Sequence, residues 1–331
     1  WLLPPAFVGV VGVVWLSWLG LRALISPDEG RYATLSLAML QSGDWVTPRL
    51  DGLLYFEKPA LQYWIGALAF MLLGVSEFSA RIWPASAALL TTVAVGLTAA
   101  RLWGRETGVR TLAICGSTTW VMANGLYLTL DAGLTLWLTL TLCAVLLAHR
   151  PSVSGVGQPR WILAAWAFMA VAVLTKVLVG IVIPGAVLVL FCLWQRDATW
   201  WRRMHWVAGL LLFVAIAAPW FVIVSLRNPA FAEFFFIHEH FTRYLAKTHH
   251  REGALWYYVP LLLAGALRWT GALPWVFGRA TVETADATSL DAGQPVARAL
   301  VAQQRVLLAW AALVFVFFSL SGSKLPSYIL P

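Results

Sequence analysis

The chain has 331 residues, 60% of them hydrophobic and 11% charged, with a net charge of +8. Its length would suit two soluble domains, but repeated apolar runs long enough to cross about 30 Å of hydrocarbon exclude that class. In such a chain the excess of Lys and Arg faces lipid phosphates and anionic headgroups and does not mark a nucleic-acid partner.

Spans are predicted at residues 2–25, 82–100, 107–127, 132–148, 160–175, 177–194, 205–226, 255–275 and 305–320, about nine in all. The predicted fold class is therefore an all-α polytopic membrane protein. Twenty Trp and sixteen Pro suit aromatic belts and kinked helices. Residues 1–25 read as a first span and not as a cleaved signal, since no small-x-small site precedes the charged loop. Cys115, Cys143 and Cys192 lie in apolar helices without CxxC spacing and read as packing residues.

The first loop, residues 26–81, gathers both signs of charge: Asp28, Glu29, Arg31, Asp44, Arg49, Asp51, Glu57, Lys58 and Glu77. An ionised group left inside a bilayer costs about 2.5–3.5 kcal/mol, so these residues need water, a partner or a ligand. The apolar run 61–74 would reach only about 21 Å as a helix, which suits an interfacial segment better than a span. With that run on the surface, the short loops holding Arg101, Arg105 and Arg110, then Arg150 and Arg160, then Arg196, Arg202 and Arg203 share one side. By the positive-inside rule that side is the cytoplasm. Loops 26–81, 128–131, 227–254 and residues 322–324 then face outward together. Residues 279–304 are polar and read as a cytoplasmic linker. The chain stops at the start of another hydrophobic segment, and we expect it to continue in further helices.

Ser26-Pro27-Asp28-Glu29 has the form of a helix start, with Ser as cap, Pro first and Glu three residues after the cap. Arg31 lies one turn from Asp28 on the same face. Asp131 is a solitary outer-face acid between two apolar spans, and reads either as a helix cap or as a site residue. Glu57 and Lys58 are adjacent and so address different groups, a carboxylate for a metal or sugar amine and an ammonium for a phosphate. In 231–247, Phe231, Phe234, Phe235, Phe241 and Leu245 share a helical face with His238, a half-buried imidazole and good metal ligand. Lys176 ends an apolar span with no acidic neighbour in sequence and must snorkel or bind an anion. Lys324 reads similarly, and with Arg31 and Lys58 these bases suit a phosphodiester or diphosphate. No phosphate loop, Walker motif or Ser-His-Asp spacing is present, so energy must arrive in the substrate. A lipid-linked sugar phosphate meets that need.

At this point the motifs Asp28-Glu29-Gly30-Arg31-Tyr32, residues 43–52 (GDWVTPRLDG), residues 55–64 (YFEKPALQYW), residues 238–244 (HEHFTRY), residues 249–253 (HHREG) and residues 321–326 (SGSKLP) closely resemble the aminoarabinose lipid A transferases. That family belongs to the GT-C membrane glycosyltransferases, related to the dolichyl-phosphate-mannose–protein mannosyltransferases. The resemblance runs from residue 28 to the end of the chain. It departs at Gly30, where the family usually has Ala or a similar residue between Glu and Arg.

The resemblance implies juxtamembrane helices over an outer-face cavity, with a periplasmic domain following. It implies transfer of aminoarabinose from undecaprenyl phosphate to lipid A phosphate at the periplasmic face of the bacterial inner membrane, and with it lipopolysaccharide modification and polymyxin resistance. It implies Asp28 and Asp131 as catalytic or substrate-orienting acids. Arg31, Tyr55, Lys58, Lys176 and Arg243 are implied as donor-phosphate and cavity contacts. Glu57 and His238 are implied as ligands of a divalent, zinc-like metal, with no nucleotide cofactor. The enzyme alternative moves another sugar, such as mannose, to protein. The other alternative is a transporter of the lipid-linked sugar. It is disfavoured because the predicted spans hold no acidic residue and the acids cluster on one side.

Overall fold

The computed structural model describes residues 5–150, 158–236, 253–272, 274, 295–321 and 324–331. Among these the chain is a helical bundle. Five helices are long and apolar enough to cross a membrane: α4 (Glu77–Trp103), α7 (Leu130–Ala148), α8 (Pro159–Gln195), α10 (Trp206–Arg227) and α13, which is spanning-length over Ala299–Leu320. The shorter helices are α1 (Pro5–Ser17), α2 (Asp28–Ser42), α3 (Leu61–Leu73), α5 (Arg105–Ser117), α6 (Thr119–Gly125), α9 (Thr199–Arg202), α11 (Ala230–Ala232) and α12 (Tyr258–Ala266). Side chains such as Val207 and Leu226 on α10 are 77% and 79% exposed, the outward apolar faces of a bundle whose solvent is lipid.

α8 is a hairpin. Lys176 has non-helical φ −155° and ψ 69°, and divides the helix into two limbs. Ile162 and Trp166 of the first limb share a buried cluster with Leu188 of the second. A straight helix would hold Ile162 and Leu188 about 39 Å apart. The limbs meet tightly because residue 180 is glycine: a Cβ there would lie 2.7 Å from the backbone nitrogen of Val173. This matches the separate spans expected at 160–175 and 177–194, with Lys176 at the apex.

The two ends of the bundle differ. At one end the termini of α7 and α8 meet, His149 stacking on Trp200 at 4.0 Å and Arg101 lying 6.0 Å over Trp161. This is the end of the short arginine-rich loops. The start of α7 and the apex of α8 lie at the other end, as the parity of the spans requires.

α2 and α3 form a platform at that second end. α3 is as short as its sequence suggested. One face packs on α2 through Gly66, where a Cβ would meet Ser36 Oγ at 2.3 Å. Its other face leaves Met71, Leu72 and Leu73 at 54%, 75% and 54% exposure. That is the pattern of a helix lying along a membrane surface. Between them Asp51-Gly52 turns a two-stranded hairpin, β1 (Arg49–Leu50) with β2 (Leu53–Leu54), at φ 51° and 83°. Trp220 Nε1 on α10 donates to Val46 O at 3.0 Å, and Asn228 Nδ2 to Thr47 Oγ1 at 2.9 Å, which fastens this loop to the bundle.

Several boundaries differ from those expected. The first helix ends at Ser17, and Arg22 leaves the predicted span because it pairs with Glu29. The expected span 107–127 is two helices broken at Thr118. In the expected span 255–275, α12 ends at Ala266 and Leu267–Ala272 forms a 3₁₀ turn that includes Arg268. α13 (Pro295–Leu320) takes residues 295–304 from the expected linker, their apolar positions falling in helical register with the span. Residues 279–294 lie outside the described residues.

Glu29 is not a capping residue. The Ser26 side chain does not cap α2; its N-cap is Pro27. Glu29 is fully buried. Its Oε1 and Oε2 accept from Arg81 Nε at 2.8 Å and Nη2 at 2.9 Å, from Arg22, and from the backbone N–H groups of Ile25 at 2.8 Å and Leu128 at 2.9 Å. Arg81, 1% exposed, spends its remaining N–H groups on the carbonyls of Leu19, Arg22 and Ala23, each at 2.8 Å. Burial acts to raise the Glu29 carboxyl, but the guanidinium and N–H partners outweigh it and hold the group down at about 2. A carboxyl lowered in this way contributes stability that is fully present above about pH 4.5 and is lost as the pH falls through about 2. We therefore expect the thermal midpoint of the solubilised protein to fall over that acid window. Glu29→Gln should flatten this dependence and cost about 3–5 kcal/mol at neutral pH, the scale of a broken buried ion pair.

Candidate active site

A cavity of about 950 Å³ opens between the α2–α3 platform and the end of α6, the start of α7 and the apex of α8. Asp28, Arg31, Tyr55, Glu57, Lys58, Asp131 and Lys176 all line it. Seven of the nine expected site residues are thus brought together from four separate stretches of chain. The other two, His238 and Arg243, lie outside the described residues. A second cavity of about 310 Å³ lies at the arginine-rich end, lined by Trp166, Trp200, Trp310 and aliphatic side chains. It carries no titratable group and offers no chemistry.

Each wall is positioned by a local feature. Asp28 begins α2, and Arg31 follows one turn later, its Nη2 3.6 Å from Asp28 Oδ1. Their side chains are 33% and 28% exposed, so both reach the cavity. Tyr55 and Phe56 leave the β-hairpin into an aromatic cluster. Tyr55 stands edge-on to Tyr63 at 6.4 Å, and Phe56 edge-on to Phe231 at 5.1 Å. Of the expected aromatic face, Phe231 and Phe235 are buried, whereas Phe234 is exposed.

Tyr55 Oη donates to Glu57 Oε2 at 3.1 Å, and Lys58 Nζ donates to the Glu57 carbonyl at 2.8 Å. Burial, and then the Glu57 charge, push the Tyr55 phenol up to about 12. At neutral pH Tyr55 is therefore a proton-bearing donor that fixes the Glu57 carboxylate.

Asp131 lies in the first turn of α7, buried. Lys176 Nζ donates to its Oδ1 at 2.9 Å, and Ser327 Oγ donates to its Oδ2. Lys176 therefore has an acidic partner, 45 residues away in sequence, where its neighbours in the chain had suggested none. Lys324 is not a cavity residue. It is buried and donates to the carbonyls of Ser319 at 2.6 Å and Ala254 at 3.2 Å, closing the end of α13.

Sequence reading missed Glu29 and Arg81 as the cluster behind the cavity. It also missed Ser327 and Tyr328, which line it. Only Lys324-Leu325-Pro326, just before them, drew notice. Among the described residues no group of three His, Cys, Asp or Glu could hold a metal ion. Glu57 is the described half of the expected ligand pair.

Chemically, the cavity sets three carboxylates, Asp28, Glu57 and Asp131, beside four cationic side chains, Arg22, Arg31, Lys58 and Lys176, at the mouth of an apolar bundle. That combination suits an amphiphilic, phosphate-bearing ligand whose apolar part stays in lipid. We expect Asp131→Asn or Lys176→Met alone to destabilise the protein by about 3–5 kcal/mol. The double variant should recover part of this loss, as thermal denaturation in a double-mutant cycle will show.

A family model described as dolichyl-phosphate-mannose-protein mannosyltransferase matches residues 7–235. The undecaprenyl phosphate-alpha-4-amino-4-deoxy-L-arabinose arabinosyl transferase of Erwinia tasmaniensis is 34% identical over 316 residues, covering 95% of this chain and 54% of the relative. Its namesake in Aeromonas hydrophila is 33% identical over 332 residues, covering 100% and 57%. The crystal structure of ArnT from Cupriavidus metallidurans in the apo state is similar, with a TM-score of 0.86 and 38% identity over 98% of this chain and 56% of that one. The same protein bound to undecaprenyl phosphate matches with a TM-score of 0.84 and 39% identity, over 98% and 57%. The chain spans a little over half the length of these proteins.

Proposed function

The chain belongs to the dolichyl-phosphate-mannose-protein mannosyltransferase family, and from that premise we propose that it is an inverting glycosyltransferase moving aminoarabinose from undecaprenyl phosphate to a phosphate of lipid A. The proposed setting is the periplasmic face of a bacterial inner membrane. The observation that carries the reading is the cavity itself, where Arg31, Lys58 and Lys176 stand beside Asp28 and Asp131 at the end of the bundle away from the arginine-rich loops. The fold is that of the GT-C neighbour, and relatives of similar sequence carry the transferase name. A solved neighbour bound to undecaprenyl phosphate supports the donor.

The reaction is a displacement at the anomeric carbon. A phosphate oxygen of the acceptor forms the new bond, and the bond from the anomeric carbon to the donor phosphate breaks. The electron pair leaves with undecaprenyl phosphate. An ionised phosphate acceptor has no proton to lose, so positioning and charge stabilisation dominate. Lys58, Arg31, Lys176 and Arg243 would neutralise the charge that grows on the leaving phosphate. Asp28 would orient the acceptor or the sugar's ammonium group, Asp131 holds Lys176, and Tyr55 holds Glu57 beside them.

A divalent, zinc-like metal on Glu57 and His238 is part of the proposal. Glu57 offers one oxygen ligand toward the cavity, and such an ion would add charge stabilisation at the donor phosphate. The transfer above is complete without a step through it.

The description of the matched family favours one alternative, transfer of mannose to a protein hydroxyl. A neutral hydroxyl requires a base, and Asp28 would take that role.

The test is a mass spectrum of lipid A from cells that make the lipid-linked donor, lack their own aminoarabinose transferase and express the full-length protein. We expect aminoarabinose on the lipid A phosphates, abolished by Asp28→Asn and by Lys58→Ala without loss of membrane insertion. Unmodified lipid A from well-expressed protein would sink the lipid A reading. Near-normal transfer by both variants would remove the site assignment.

A further inference from the structure

We propose that Ser327, acting through Asp131, is a positioning residue for the Lys176 ammonium; this rests on the glycosyl-transfer reading above, with Asp28 as the acid that meets the substrate. The two aspartates line one cavity, but the fold uses them differently. Asp131 is already engaged on both oxygens, Oδ1 by Lys176 Nζ at 2.9 Å and Oδ2 by the Ser327 hydroxyl. Its side chain is only 10% exposed. Asp28 is 33% exposed, and Arg31 lies 3.6 Å from it, beyond hydrogen-bond length. Its oxygens therefore remain available to a ligand in the cavity.

Lys176 needs such support. It stands at a hairpin apex with non-helical backbone angles, so no helix fixes the direction of its side chain. A lysine stem has four rotatable carbon links, and an ammonium left to wander stabilises a leaving phosphate poorly. Asp131 on α7 accepts a hydrogen bond from Lys176, the Tyr328 ring lies 4.0 Å beneath its nitrogen, and Ser327 in turn fixes Asp131.

The turn that carries Ser327 and Tyr328, Pro326–Ile329, is itself tied down. Tyr258 Oη donates to Leu325 O at 3.1 Å, Lys324 Nζ to Ser319 O at 2.6 Å, and Trp310 Nε1 to Pro331 O at 2.8 Å. A turn anchored at both of its flanks is a rigid mount for the two side chains it offers. Ser327 thus acts on the donor phosphate through Asp131 and Lys176, without touching it.

The test measures two quantities on the purified full-length protein: affinity for undecaprenyl phosphate, and the rate of sugar transfer as a function of pH. Ser327→Ala should weaken undecaprenyl phosphate binding about tenfold, the scale of one charge-assisted hydrogen bond, measured at a temperature where the variant remains fully folded. Ser327→Thr, which keeps the hydroxyl, should restore it. Asp131→Asn should follow Ser327→Ala in affinity while retaining the acid limb of the pH–rate profile. Asp28→Asn should bind undecaprenyl phosphate like the unaltered protein and lose transfer. Unaltered affinity in both Ser327→Ala and Asp131→Asn would overturn the positioning role. Loss of the acid limb in Asp131→Asn would reverse the assignment of the two acids. If the unaltered protein binds undecaprenyl phosphate but modifies no lipid A, the transfer reading fails while the binding series still decides the positioning of Lys176. Failure of the unaltered protein to bind undecaprenyl phosphate would overturn both.

Discussion

The buried cluster of Glu29 with Arg81 and Arg22 is the constraint on which the cavity depends. It joins the segment after α1, the start of α2, the start of α4 and the loop before α7 through one carboxylate. Burying these charges is costly, and such a cluster persists only when every donor and lone pair finds a partner. Here the two Glu29 oxygens accept from two arginines and two backbone amides, and all five N–H groups of Arg81 are used. Glu29 adjoins Asp28 on one side and, through Leu128, lies three residues from Asp131 on the other. The register of Asp28 and Asp131 is therefore set by a group that never reaches the cavity.

This arrangement explains what could be read in the chain and what could not. Asp28, Arg31, Glu57, Lys58 and Asp131 were legible because charge in an apolar chain is rare and because the parity of the spans put them on one side. Lys176 was legible as a charge without a neighbour, and its place at the apex followed from the two short spans that flank it. Its partner was not, since Asp131 lies 45 residues away. Glu29 was misread for a physical reason: Ser-Pro-Asp-Glu satisfies every local rule for a capped helix, while Arg81, which claims Glu29, lies 52 residues downstream. Arg22 looked like part of a span because the apolar run continues past the last turn of α1. The break at Thr118 has no proline to announce it. The β-hairpin had a local signal in Asp51-Gly52, whose positive φ angles suit a tight turn.

The bundle separates its tasks between its ends. At the arginine-rich end His149 and Trp200 stack beside an apolar cavity with no titratable group. At the other end, the short α3 keeps one apolar face toward α2 and leaves the other exposed, so the platform can lie at the membrane surface with Tyr55, Glu57 and Lys58 beside it. A lipid-linked ligand would meet charge only where its phosphate emerges from hydrocarbon. Such a geometry lets the apolar tail remain in the bilayer and spares the site the cost of extracting it.

The family match ends at residue 235, and it includes Asp28, Glu57, Lys58, Asp131 and Lys176. Two supports of the Lys176–Asp131 pair come from beyond that limit: Tyr328 lies under the Lys176 ammonium and Ser327 donates to Asp131, both in the turn after α13. A cation that neutralises a leaving phosphate must be held still before the bond breaks, because reorganisation at that moment would add to the barrier. In this chain the matched segment supplies the charged groups, and the turn after α13 immobilises one of them. Moving that turn by an ångström would leave every acid and base of the matched segment in place and still take the Tyr328 ring and the Ser327 hydroxyl away from the Lys176–Asp131 pair. The charged groups of the cavity thus come from the matched segment, and the Pro326–Ile329 turn braces the Lys176–Asp131 pair among them.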